Sequence, residues 1–141
     1  MSEDLGARWL STIDINGMYD APGLLKPWYF LLRLFEEITR SKRYQRQVTL
    51  VMVNVPTEAS QQLELWFTSR LRATDLLCRD ALGGYFILLP ETGEASASHL
   101  AKRLSGAFSY ASISMGTLPG DPDLFTELAD QITVESATKA A

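Results

Sequence analysis

Two short apolar runs, "DLLCRD" at 75–80 and "YFILL" at 85–89, meet across Ala81-Leu82-Gly83-Gly84. They are too short to be helices, and residues that tolerate positive φ between them make the joint an antiparallel hairpin. What flanks this hairpin narrows the fold further. Before it, residues 60–71 return to the helical period through Leu63, Trp66, Phe67 and Leu71. After it, residues 93–107 do the same through Ala97, Leu100, Ala101 and Leu104. Further upstream, "QVTLVMVN" at 47–54 has the β-branched content of a buried strand. A helix opens near Pro27, a residue suited to the first helical turn, and carries Leu24, Trp28, Leu31, Leu32, Phe35 and Ile38 at helical spacing. Trp28, Trp66 and Phe67 are expected in the core. Downstream, "YASISMGTL" at 110–118 is a further strand, and Asp121 followed by Pro122 starts a last helix whose stripe is Leu124, Phe125, Leu128 and Ile132.

After the first helix the order is therefore strand, helix, hairpin, helix, strand, helix. This is a split β-α-β arrangement, an α/β (α+β) fold with a mixed central sheet and flanking helices. Residues 1–22, with Gly17 and Pro22, are expected to be irregular, which leaves 23–141 as the domain.

Charge and cysteine content exclude several functions. A formal net charge of −4 argues against a nucleic-acid surface. The basic run "RSKRYQR" at 40–46 is expected to be a solvated helix end, where cations favour the C-terminal dipole. The single cysteine, Cys78, suits a reducing cytoplasm and, in an apolar strand, a packed thiol. No apolar run is long enough to span a bilayer, and "MSEDLGARWL" does not have the pattern of a signal peptide. His99 has no second histidine to share a metal, so no metal site and no cofactor are expected. Ser112 and Ser114 lack a base partner, so nothing supports nucleophilic catalysis.

Five fragments in order, "EEITRSKRYQRQVTLVMVNV", "RLRATDLLCRD", "YFILLPET", "SISMG" and "ELADQ", resemble the GGDEF domain, the diguanylate cyclase fold, from about Asp14 to Lys139. The resemblance implies that family's fold and a place in bacterial cyclic di-GMP signalling. It also implies lost chemistry. Aligned on Arg79 and Pro90, the signature pentapeptide falls on Ala81, Leu82, Gly83, Gly84 and Tyr85, so the turn carries no signature carboxylate. Tyr85 keeps a large ring there. The family's magnesium-holding aspartate corresponds to Asn54, a poor hard-cation ligand, and the next acidic position is Pro56. "VPTEAS" is too short to hold the family's guanine and ribose pocket, and the late phosphate-contacting lysine aligns with Ala137, near Lys139. Asp14, Asn16 and Gly17 loosely resemble the turn that opens the family's domain. The implied domain is catalytically inactive.

One further motif is in register. The family's product-binding inhibitory site reads Arg-x-x-Asp five residues before the signature, where this chain has Arg72 and Asp75. The family adds an arginine from the next helix, matched by Arg103 in Ala101-Lys102-Arg103, with Lys102 adding positive potential. Arginine can read the O6 and N7 edge of guanine, and a carboxylate can accept from N1–H and the 2-amino group. The resemblance thus implies a cyclic di-GMP receptor, and the fold is expected to tolerate loss of Arg72. A nucleotide-independent interaction or dimerisation scaffold, with a protein partner or a second copy, is the alternative. In the plainest reading, Arg72 and Asp75 are a surface ion pair.

Overall fold

The computed structural model describes residues 19–21 and 23–132, and in it each of these periodic segments becomes the element expected of it. Strand β1 spans Tyr19–Ala21, β2 Leu24–Leu25, β3 Val48–Asn54, β4 Leu76–Arg79, β5 Tyr85–Pro90 and β6 Ser112–Leu118. Helix α1 spans Pro27–Tyr44, α2 Ser60–Arg70, α3 Glu94–Ala107 and α4 Pro122–Asp130. The strands form one six-stranded sheet in the order β1-β2-β4-β5-β3-β6. Only the β2–β4 pairing is parallel, which makes the sheet mixed.

The strands alternate between two buried faces, as a period of two requires. Phe86 and Leu88 of β5 face the core layer of Phe30 and Leu34 from α1 and Phe125 and Leu128 from α4. Tyr85, Ile87 and Leu89 face Leu63 and Phe67 from α2 and Ala97 and Leu104 from α3. Both faces of the central strands are covered, which explains why β3 and β5 read as nearly continuous apolar runs.

Two expectations are corrected. Residues 1–22 are not irregular throughout, because Tyr19–Ala21 forms β1; and Leu24, placed on the first helix by its spacing, belongs to β2. Leu24 and Leu25 bury toward opposite faces of the sheet, and β2 joins β4, so the pair behaves as strand before Pro27 starts α1. The apolar stripe of α1 is also rotated. Its buried residues are Phe30, Leu34, Glu37 and Ser41, while Trp28 is 40 % exposed and therefore not core. The helix is apolar around much of its first three turns, so periodicity alone could not choose between two faces. Of the other two aromatics, Phe67 is buried and Trp66 half-buried. Asp14, Asn16, Gly17, Ala137 and Lys139 lie outside the described residues. No helix among the described residues is long and apolar enough to cross a membrane.

Candidate ligand site

Strand β5 connects the two regions where the sequence suggests chemistry. At its start is the hairpin turn. The Asp80 amide donates to the Gly84 carbonyl at 2.7 Å and the Gly83 amide to the Asp80 carbonyl at 3.0 Å. Gly83 sits at φ +94°, a conformation that side chains disfavour. Gly84 is needed for space: a Cβ there would lie 2.7 Å from Oδ1 of Asn54. Asn54, a neutral amide, thus abuts the turn.

Two carboxylates near this turn have internal partners. Asp80, which the sequence reading passed over, is buried and accepts a 3.4 Å bond from the Leu82 amide. Glu64 accepts the Tyr85 hydroxyl and pairs with Arg79 at 3.3 Å. Burial, reinforced by this carboxylate, holds the Tyr85 phenol above its ordinary value. Burial also pushes the Cys78 thiol up, with Asp80 adding to the effect, so Cys78 is a packed, unreactive thiol. Among the described residues, no three His, Cys, Asp or Glu side chains gather as metal ligands.

The other end of β5 is different. Arg72 lies in the turn between α2 and β4. Its Nη2 bonds Asp75 Oδ1 at 3.0 Å, the Pro90 carbonyl at 3.0 Å and Thr92 Oγ1 at 2.6 Å. Nε bonds both Asp75 oxygens at 3.3 Å, and the Arg72 amide adds a 2.9 Å bond to Oδ2. The pair is more than a surface contact. Arg72 is 55 % exposed but the Asp75 side chain only 5 %, and together they fasten the α2–β4 turn to the exit of β5. Thr92 continues the network, because its carbonyl accepts Thr49 Oγ1 at 2.8 Å beneath the sheet end. Asp75 is thus fully engaged by Arg72, whereas Nη1 of Arg72 has no partner among the described residues.

A cleft of about 450 Å³ opens beside Arg72. Its walls are Tyr19 of β1, Arg33, Glu37 and Arg40 of α1, Arg46, the turn residues Arg72, Ala73 and Thr74, and Leu76, Pro90 and Glu91. Arg33 pairs with Glu36, Arg40 with the buried Glu37, and Arg46 with Glu91 across the rim. The cations of the basic run at 40–46 are exposed, as expected of a solvated helix end, and two of them, Arg40 and Arg46, also line the cleft. The run itself was the signal in the sequence. What hid its role was that α1 and the α2–β4 turn converge only in three dimensions. Lys102 and Arg103 are exposed on α3, have no partner among the described residues and are not among the cleft's lining residues.

No family model matches the sequence, and no curated protein matches it significantly. Solved structures do. A sensory box/GGDEF family protein from Caulobacter crescentus is similar with a TM-score of 0.61 at 17 % identity, over 84 % of this chain and 96 % of that one. A DGC protein from Thermotoga maritima gives a TM-score of 0.63 at 14 % identity, over 78 % and 96 %. The diguanylate cyclase SiaD of Pseudomonas aeruginosa, solved in complex with its activator SiaC, gives 0.58 at 20 % identity, over 99 % and 68 %. This is the GGDEF fold. The fold expected from the element order, with its mixed sheet, antiparallel hairpin and flanking helices, is the one observed.

Proposed function

We propose that this GGDEF-fold domain is a catalytically inactive receptor for cyclic di-GMP in cytoplasmic bacterial signalling, with the ligand seated at Arg72. The observation that carries this reading is the convergence of Arg33, Arg40 and Arg46 with Arg72 on one open cleft. Guanidinium groups suit both the phosphodiesters and the acceptor edge of guanine. The unpartnered Nη1 of Arg72 is the donor available to the ligand. Asp75, engaged by Arg72, acts as the positioning residue that holds the guanidinium in place. Lys102 and Arg103, unpaired on α3, are the candidates for a further phosphate or guanine contact.

Inactivity rests on the residues at the other end of β5. Ala81, Leu82, Gly83 and Gly84 supply no carboxylate, Asn54 replaces the metal aspartate, and Asp80 and Glu64 are bonded internally. Calorimetric titration with cyclic di-GMP, using GTP with magnesium as the control, tests the proposal. Saturable binding of the cyclic dinucleotide, with no turnover of GTP, is expected. Turnover of GTP would overturn inactivity.

A second reading has its own support. The bonds from Arg72 to Asp75, Pro90 and Thr92 would serve a nucleotide-free scaffold as a latch, and SiaD shows a protein of this fold engaged with a protein activator. Absence of any heat with cyclic di-GMP would favour a scaffold that docks a protein partner or a second copy.

A further inference from the structure

Guanine presents its groups in a fixed order along one side: the acceptors N7 and O6, then the donors N1–H and the 2-amino group. Adenine has a donor, its 6-amino group, where guanine has O6. A cleft that selects guanine therefore needs a cationic donor beside a carboxylate. Arg72 supplies the donor through Nη1. Asp75 does not supply the carboxylate, because its oxygens accept from the Arg72 guanidinium and amide and its side chain is not part of the cleft wall. The acidic residues that do line the cleft are Glu37 and Glu91. Glu37 is buried on α1, its side chain 8 % exposed and held by Arg40. Glu91, at the rim, is 59 % exposed.

We propose that Glu91 is the carboxylate that reads guanine and sets the selectivity of the cleft for guanine over adenine dinucleotides. Glu91 has this role only if cyclic di-GMP sits at Arg72, as proposed above.

The backbone around Glu91 is tied to Arg72 on both sides. Nη2 of Arg72 donates to the Pro90 carbonyl and to Thr92 Oγ1, and that hydroxyl donates in turn to the Pro90 carbonyl at 3.0 Å. Donor and carboxylate thus belong to one bonded unit, so that a base meeting Nη1 has the Glu91 side chain beside it. Glu91 itself sits at φ +53°, a conformation uncommon for a residue with a side chain and concentrated at ligand sites. The pair with Arg46 holds the carboxylate at the rim without exhausting it, since two carboxylate oxygens offer about four lone-pair sites.

Charge and base reading are separable at this position. Removing the carboxylate releases Arg46, and the added positive charge acts on the phosphodiesters of any cyclic dinucleotide alike. Loss of the acceptor for N1–H and the 2-amino group falls on guanine alone. Glutamine keeps the length of the side chain but places a donor beside its one acceptor, the pattern that suits adenine.

Calorimetric titration of the full chain with cyclic di-GMP and with cyclic di-AMP, in the parent and in Glu91→Gln, tests the assignment. The side chain is exposed, so the variant should melt like the parent. The expected result is a parent that prefers cyclic di-GMP and a variant in which that preference shrinks by at least about fivefold. A variant that changes affinity for both dinucleotides by one factor would overturn the assignment and leave Glu91 acting only through Arg46. A parent that binds both equally would overturn it too, while keeping Arg72 as a phosphodiester site. A parent that binds neither would remove the receptor reading and this role of Glu91 with it.

Discussion

The two ends of β5 are about 17 Å apart, five steps of roughly 3.3 Å between Tyr85 and Pro90, and they have opposite characters. At the start, Gly84 is packed so close to Asn54 that a methyl group there would meet Oδ1 at 2.7 Å and the amide would have to shift. Side chains there turn inward: Asp80 to a backbone amide, Tyr85 to Glu64. At the far end, side chains from α1 and from the α2–β4 turn stand back from one another and leave an open cleft. Both ends are held by the same backbone ladder, in which Tyr85 pairs with Val53 and Pro90 with Val48. A sheet therefore fixes the backbone at both ends alike, and the side chains decide what each end can do. Function must be argued from each end separately.

The largest effect should abolish both ends together. Leu63 and Leu104 are fully buried under the sheet, and Leu63→Asp or Leu104→Asp would bury an unpaired charge at a cost of at least about 4 kcal/mol. Loss of the cooperative thermal transition checks it. Unchanged melting would mean that the layer of α2 and α3 does not hold β5 as described.

Arg72→Ala separates the ends. In the receptor reading it weakens cyclic di-GMP binding by about 1–3 kcal/mol in a calorimetric titration. It also costs stability, contrary to the tolerance expected from sequence. The buried Asp75 loses its ion pair and the Pro90–Thr92 exit loses its anchor, which is worth about 1 kcal/mol because Arg72 is itself half exposed. Equal binding by the variant would remove Arg72 from the ligand site and leave the latch as its only role.

This comparison also shows what a sequence can carry. The hairpin was legible because its signals are local: Gly83 and Gly84 lie in the turn, and the flanking apolar runs are too short to be helices. The Arg72–Asp75 pairing was legible as a spacing of three. The cleft was not, because its walls come from Tyr19 and from residues 33–46, 72–76 and 90–91, which only the fold brings together. The inner face of α1 was misread for a different reason. Trp28, Leu32 and Phe35 satisfy the helical period as well as Phe30 and Leu34 do, and periodicity does not say which of two apolar faces meets the sheet. Strand β2 was hidden by its length of two residues, too short to show alternation.

The closed end can be tested through its closest contact. Gly84→Ala places a methyl against Oδ1 of Asn54 and should cost about 1 kcal/mol, since Asn54 is exposed and can partly give way. Asn54→Ala should recover most of that loss, a coupling of roughly 0.5–1 kcal/mol in denaturant unfolding. Additive effects would mean that the strain lies in the backbone of the turn instead. Neither variant should alter ligand binding at the Arg72 end, and a loss there would show that the two ends are coupled through β5.

The smallest effect is in alkaline solution. Burial and the Glu64 carboxylate keep the folded-state pKa of Tyr85 above its ordinary value of 10.0. Below that value both the folded and unfolded states hold the proton, and the stabilisation is fully present. As pH rises above 10.0 the unfolded chain gives up its proton first, and stability falls until the folded phenol also ionises. Cys78, raised from 9.0 by burial, adds a loss of the same sign. Tyr85→Phe removes only the phenol's share. The variant should be less stable than the parent near neutrality by about 1 kcal/mol, for the lost bond to Glu64. It should then lose less on passing from about pH 8 to about pH 11, so the two melting curves converge. Parallel curves would mean that the phenol titrates alike in both states, and that Glu64 at the closed end is held by Arg79 alone.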